Sequence, residues 1–382
     1  MIAEVVRVLV DGDPQPDLVH DIIQVDVDES VDVADVFALR VAVTTRAGGA
    51  WTHVDEDRFA VWRRVTVEAG YGDAPETVID GYVTQAELFL SGQQPPYLEV
   101  SGMDRTALMD LEDKQVAWPD KKDDEIAREI FSDVYKLDPV VEDTVVRHDE
   151  ATSTVLQSET DIRFLRRLAA RNGFECHVKG TTGFFRSPNL QDPPQRTLAL
   201  SVGAEANLVD LRVRVDGTPA TPLELRRVDP IEKRVDVKPL AETPRRRLGR
   251  QTLAELRRGL PDGRQLLRHQ VAASPTEMEA RLRGAYEPAS RFATLEGEVD
   301  SRAYGATLRA GRLVTVKGAG ERHSGLWYVS RVRHAFTVDG YSQRFEAYRN
   351  GLGLTGEERF AAAALSAAAS AATSAAPLAG GR

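Results

Sequence analysis

The chain offers few residue patterns that could do chemistry, and each meets a competing structural reading. Gly351-Leu-Gly353-Leu-Thr-Gly356 has the G-x-G-x-x-G spacing that cradles a pyrophosphate when it joins a strand to a helix. A dinucleotide fold needs a further parallel strand and an acidic residue about 20 positions on. The 26 residues after Gly356 hold no strand-like run and no acid at that distance, so the segment reads as a flexible exit. Seven histidines are scattered. His323 and His334 have no ligand-type partner at metal spacing, and His334 reads as a structural strand residue. Cys176 and His177 are neighbours in a strand-like run, so their side chains leave on opposite faces and make no nucleophile–base pair. Cys176, the single cysteine, reads as buried and inert and permits no intramolecular disulfide. Asp123-Asp124-Glu125 and Asp149-Glu150 could serve glycoside hydrolysis only if two carboxylates faced one cleft with separated pKa values. They read instead as exposed acids and helix N-terminal charges. Arg245-Arg-Arg247 and Arg257-Arg258 lack the interleaved aromatics that stack bases, and read as an interface or a solvated loop. No catalytic, cofactor-binding or metal-ligating residue is assigned, and the chain is not expected to be an enzyme.

The elements around these residues are mostly strands. Glu4 to Val10, Leu18 to Asp28 and Phe37 to Thr45 alternate apolar and polar positions, separated by turn-forming residues. Arg64 to Glu68, Thr77 to Leu90 and Tyr97 to Ser101 follow, and no helix of ordinary length fits before Asp104. Helical spacing then appears over Asp123 to Asp133. It is clearest from Ser158 to Gly173, where Ser158 and Asp161 have capping-box spacing and Asn172-Gly173 is a stop. Short strands are expected at Phe174 to Lys179 and Gly183 to Arg186, and longer ones from Arg196 onward at 197–202, 208–215 and 222–228. Ser274-Pro275-Thr-Glu277 opens a helix running to about Tyr286. Strands return at 291–300, 312–317, 326–337 and 342–348. Pro239 to Gly263 reads as an exposed loop, and the Ala/Ser tail as low-complexity sequence.

A length of 382 residues allows two to four domains, and 42% hydrophobic residues exclude wholesale disorder. Met1 to Asp11 does not read as a signal peptide, and Phe360 to Pro377 is too weakly hydrophobic to read as a membrane span. Charge is divided unevenly. Residues 1–160 carry 35 acidic and 13 basic side chains, whereas 161–382 carry 24 and 36. Such a split fits a nucleic-acid face, two solvated surfaces, or one half of a subunit meeting the other half of its neighbour.

The β segments also repeat. Arg64-Val-Thr-Val-Glu-Ala-Gly70, then Gly81-Tyr-Val-Thr-Gln-Ala86, then Tyr97-Leu-Glu-Val100 match Leu313-Val-Thr-Val-Lys-Gly-Ala-Gly320, then Gly325 to Val332, then Arg344-Phe-Glu-Ala347. Two such domains in a threefold assembly would present six similar faces around a ring, with acidic and basic halves alternating.

The segment Leu313 to His334, with Gly325, Tyr328, Val329 and His334, followed by Gly340-Tyr341 and Phe345, resembles the C-terminal signature of phage late control D proteins. These are the baseplate hub proteins of contractile tails. Ser158 to Gly173, with Phe164, Leu165, Leu168 and Gly173, resembles a helix of the same group, shared with the hub half of VgrG-type spike proteins. Val228-Asp229-Pro230 with Lys233 sits where that group has a tryptophan-Asp-Pro turn, and the tryptophan is absent here. The helix from Ser274 falls where the group has an alanine-rich helix. The likeness spans about residues 60–350 and is strongest at 158–176 and 291–349.

The resemblance implies an α+β, mainly β chain with two tube-like β-barrel domains and α/β insertions between them, assembling as a pseudo-sixfold trimeric ring. The expected divisions are a first barrel at 1–104, an α/β middle domain at 105–195, and a second barrel at 196–238 and 290–352. A helical insertion occupies 239–289 and the tail 353–382. Such a homotrimer would adapt a sixfold inner-tube protein to a separate threefold spike protein, among other baseplate components. It would be made in the cytoplasm and built into a phage tail or contractile injection particle, with no cofactor, nucleic-acid binding or membrane insertion expected. A tail-associated peptidoglycan hydrolase is the alternative, and a monomeric β-rich binding module a third reading.

Overall fold

The alternating apolar and polar positions place strands where one sheet face can be buried. The structure is a computed structural model that describes residues 4–358, apart from 73, 74, 201, 202, 219–221, 230, 243, 244, 262, 269–271 and 357. Pro230 of the expected Asp-Pro turn and nearly all of the Ala/Ser tail lie outside the described residues.

Mainly β, the chain forms one 13-stranded sheet with smaller sheets beside it. The first half supplies β1 (Glu4–Val10), β2 (Ile22–Ser30), β3 (Val36–Ala42), β4 (Arg64–Tyr71), β5 (Glu76–Phe89) and β6 (Tyr97–Asp104). Phe37, Leu39 and Val41 of β3 and Leu98 and Val100 of β6 turn to a core with Val25, Val27 and Val65. The polar partners of that alternation, Arg40 and Glu99 among them, occupy the opposite face. Pro16–His20 form a 3-10 turn with proline near its start, so the strand expected from Leu18 begins at Ile22.

The middle segment contains α1 (Asp123–Glu129), α2 (Asp161–Asn172), β7 (Glu175–Lys179) and β8 (Thr182–Arg186). Phe164, Leu165 and Leu168 of α2 pack with Ile126, Phe131 and Phe185 in a separate core. The capping box expected at Ser158 is not there. Ser158 lies in a strand, Val155–Glu159, paired with Lys114–Trp118, and Thr160 takes the N-cap position. The Asp161 carboxylate is held by Lys114, Tyr135 and Gln157. At the other end Gly173 adopts φ 69°, the left-handed conformation that stops the helix there.

The second half contributes β9 (Gln195–Ala199) and β10 (Leu208–Val215), then leaves the large sheet at Asp216 and returns at Phe292. Within that excursion β11 (Leu223–Asp229) pairs with β12 (Arg234–Leu240), so the run expected as a loop from Pro239 starts inside a strand. The helix α3 (Pro275–Ser290) starts at Ser274, whose hydroxyl accepts from the Glu277 amide at 3.1 Å, and extends past Tyr286 through Pro288. Four strands complete the sheet: β13 (Ala293–Val299), β14 (Arg312–Lys317), β15 (Gly325–Thr337) and β16 (Gly340–Arg349). Their core includes Leu295, Val314, Trp327, Tyr328, Val329 and Phe345.

The two halves share one strand order. In space the first reads β1-β4-β5-β6-β3-β2 and the second β9-β14-β15-β16-β13-β10, so six strands correspond in chain order and in neighbours. One pair differs in direction: β1 runs antiparallel to β4, while β9 runs parallel to β14. The halves are joined where β2 pairs antiparallel with the second part of β15.

Candidate functional site

Because each strand buries one face, the large sheet displays a continuous charged face on the other. From β10 to β5 it carries Arg212, Glu296 and Glu298, Arg344 and Glu346, Arg331 and Arg333, Asp26 and Asp28, Arg40, Glu99 and Glu87. Opposite signs are paired across strands. Arg344 meets Glu298 at 3.0 Å, Arg333 meets Asp26 at 3.0 Å, and Arg40 meets Glu99 at 2.6 Å. Arg331 clasps Asp28 with both arms of its guanidinium. The face is concave between β10 and β2, where these side chains line a groove of about 580 Å³. Such a wall is hydrophilic and offers fixed charge.

Behind that face, one buried ionic cluster ties three parts of the chain together. Glu29 of β2 accepts from Lys179 at 2.8 Å, from Arg309 at 2.8 Å and from the Ala310 amide at 3.0 Å. Burial opposes its ionisation, yet Lys179 and Arg309 hold its carboxyl well below the usual range. Asp35 lies 3.0 Å from the same Lys179. That lysine is shared with Glu29, so burial prevails at Asp35 and pushes its carboxyl up to about 7. His334 faces the same cluster. Its Nδ1 lies 2.7 Å from the Tyr341 hydroxyl and its Nε2 3.8 Å from Glu29, and burial pushes its pKa down.

The residues singled out from sequence fall into separate places. Phe164, Leu165 and Leu168 sit in the middle core, and Gly173 caps α2 against α3. Tyr328, Val329 and Phe345 lie in the second-half core. Gly325 and Gly340 take φ of 117° and 120° at the starts of β15 and β16, and Tyr341 stacks on Phe336 at 4.1 Å. Cys176 is buried and its thiol is pushed up to about 12, while His177 is buried and pushed down to about 3, both by burial. Gly351 to Gly353 is anchored rather than a flexible exit. Leu352 and Gln251 exchange backbone hydrogen bonds, and buried Arg349 donates to the carbonyls of Leu248, Gly353 and Ser324.

Two further expectations are corrected. Asp123 and Asp124 are buried, not exposed. Asp123 accepts from Arg171 and Asn172 and lies 3.2 Å from His148. Burial disfavours its charge, but His148 and Arg171 hold it down at about 2. No sequence spacing links residues 123, 148 and 171, so only the fold reveals this cluster. The arginine triplet is dispersed: Arg245 bonds Glu287 and the Gly173 carbonyl, Arg246 the Leu190 carbonyl, and Arg247 Glu242. Among the described residues no group of three or more His, Cys, Asp or Glu could hold a metal, and no helix is long and apolar enough to cross a membrane.

The family model described as the Alg8 N-terminal domain matches residues 3–337. A comparison with curated proteins finds no match. Among solved structures, the 43 kDa tail protein of prophage MuSo2 from Shewanella oneidensis is 15% identical, with 91% of this chain and 99% of that one covered at a TM-score of 0.64. The tail protein from Neisseria meningitidis MC58 is 14% identical, with 91% and 97% covered, also at 0.64. An E. coli protein described as a component of the type VI secretion system is 14% identical, with 91% and 76% covered, at 0.53. At these identities the likeness is one of fold: the chain is folded as phage tail proteins are.

Proposed function

The chain belongs to the Alg8 N-terminal domain family, and from its fold we propose that it is a structural hub of a contractile tail or injection-system baseplate, of the late control D type. The observation that carries this reading is the shared strand order of its two halves within a tail-protein fold. Each half acts as a tube-like domain, divided as 1–104 and 196–238 with 290–352, the β11–β12 hairpin standing outside the shared sheet, and residues 105–195 form the α/β unit between them. Three chains then close a ring with pseudo-sixfold symmetry. Inner-tube subunits stack on one face of the ring, and a trimeric spike and other baseplate components meet the rest. The charged concave face lines the lumen, where paired charges keep the wall wetted. The protein acts through surfaces rather than turnover, and the signature positions from Phe164 to Phe345 serve the fold. It is made in the cytoplasm and works inside an assembled particle, with no nucleic-acid or membrane binding of its own.

The test is the native mass of the purified chain, alone and with the neighbouring spike protein. A species near three times 42.0 kDa, about 126 kDa, with class averages showing a ring of six similar lobes, is expected. A monomer under both conditions overturns the reading. Turnover of cell-wall material would put the peptidoglycan hydrolase in its place.

A further inference from the structure

The correspondence between the halves leaves one junction made and its twin unmade. The first part of β15, Gly325–Val329, pairs with β14, and the second part, Arg331–Phe336, is taken by β2. Its counterpart β5 pairs through Glu76–Tyr82 with β4. From Thr84 to Phe89, the edge of β5 away from β6 carries no strand among the described residues. The counterpart of β2 is β10, which pairs with β13 on one side and, among the described residues, has no strand on the other. Within one chain these two bare edges have six strands between them.

Both edges have the character of covered surface. β10 leaves Val209 62% exposed, with Val215 also exposed, and β5 leaves Thr84 to Leu88 exposed, with Leu90 beyond its end. Long bare edges with apolar side chains are hazards that soluble proteins cover or blunt. Charge is complementary in the sense the intrachain junction requires. There, Arg331 and Arg333 of the second half meet Asp28 and Asp26 of the first. At the bare edges, β10 of the second half presents Arg212 and Arg214, and β5 of the first presents Glu87. Neither Arg212 nor Glu87 has an ion-pair partner among the described residues.

We propose that β10 of one copy adds antiparallel to the Thr84–Phe89 stretch of β5 in a second copy, repeating between chains the β2–β15 junction found within each. The contact is heterologous, so it propagates from copy to copy until the rotation closes. Backbone pairing supplies affinity and the arginine–glutamate face supplies register. The proposal rests on the hub reading for the number of copies, three, but the strands involved are fixed independently of it.

Cysteine trapping tests it in the full chain, whose one native cysteine is buried. Glu87→Cys combined with Arg212→Cys, and separately with Arg214→Cys to sample register, is oxidised and run without reductant. At least one pair is expected to give covalent dimer and trimer that collapse on reduction, whereas none of the single variants gives trimer. A native trimer that neither pair cross-links overturns this interface and leaves the hub reading standing; a native monomer both alone and with the spike protein overturns both. Charge reversal reads the same contact without new thiols. Arg212→Glu is expected to raise the concentration at which the assembly dissociates by roughly tenfold, and adding Glu87→Arg to restore it. An unchanged dissociation in Arg212→Glu counts against the proposal.

Discussion

The Tyr328 hydroxyl donates a 2.7 Å hydrogen bond to the buried carboxyl of Glu175, joining β15 of the second half to β7 of the middle segment. Burial pushes Glu175 up to about 7, against the pull of Tyr328 and Arg291. A carboxyl whose pKa is raised on folding binds its proton more tightly folded than unfolded. Its stabilising share is therefore full below the unfolded value, near 4.5, and is lost as pH rises through about 7. Asp35 has the same sign and the same value. Glu175→Gln should flatten part of the fall in Tm between pH 5 and 8, leaving the Asp35 share. Tm profiles that superimpose with wild type would refute the assignment.

Glu29 holds Lys179 and Arg309 from parts of the chain 150 and 280 residues away. Removing one member of a buried charge cluster strands the others, at a cost of about 3–5 kcal/mol. Glu29→Gln should lose stability in that range by denaturant unfolding, and more than Arg40→Gln, which breaks the half-exposed pair with Glu99 and the guanidinium's contact with the Tyr97 ring.

At the crossing of α2 and α3 the backbones nearly touch. A Cβ on Gly284 would lie 2.3 Å from the Arg171 carbonyl oxygen. Gly284→Ala should destabilise by about 1–3 kcal/mol despite alanine's better helix propensity. Gly217→Ala, with nothing within 4 Å of the added Cβ, serves as the comparison and should change little.

Arg349 is fully buried above Trp327, its guanidinium 5.1 Å from the ring, and burial pushes it down to about 10. It satisfies carbonyls on both chain segments that cross at Gln251 and Leu352. Arg349→Met should release this crossing, seen as faster amide exchange at Gln251 and Leu352, while exchange in β3 and β6 stays as it was. Unchanged exchange at those two amides would mean that the backbone bridge stands without the arginine.

How much of this was legible beforehand follows the reach of each interaction. Strands such as Glu4–Val10 and Arg312–Lys317, the stop at Gly173 and the cap at Ser274 are written in neighbouring residues and could be read there. Ser158 misled because its spacing to Asp161 is a local pattern, while pairing with Lys114–Trp118 claims it for a strand. Arg234–Leu240 escaped because both Val235 and Val237 are exposed, so its alternation marks no deep core. The V-T-V repeat pointed to three corresponding strands in each half, and the fold extends the correspondence to six. The clusters around Asp123 and Glu29 depend on partners far along the chain, which no spacing encodes.

The β2–β15 pairing also sets a timetable for synthesis. β2 is complete at Ser30, but the strand that covers it begins at Gly325. At about 5–20 residues per second, roughly 15–60 s separate the two on the ribosome. Through that interval the edge of β2 is bare, and nascent chains on one message carry identical edges side by side. Asp26 and Asp28 place two negative charges on that strand, and like charges directly opposed across a forming ladder repel. The same aspartates that receive Arg331 and Arg333 in the finished fold are thus the like charges that such edge-to-edge pairing would have to bring together while that partner strand is still unmade.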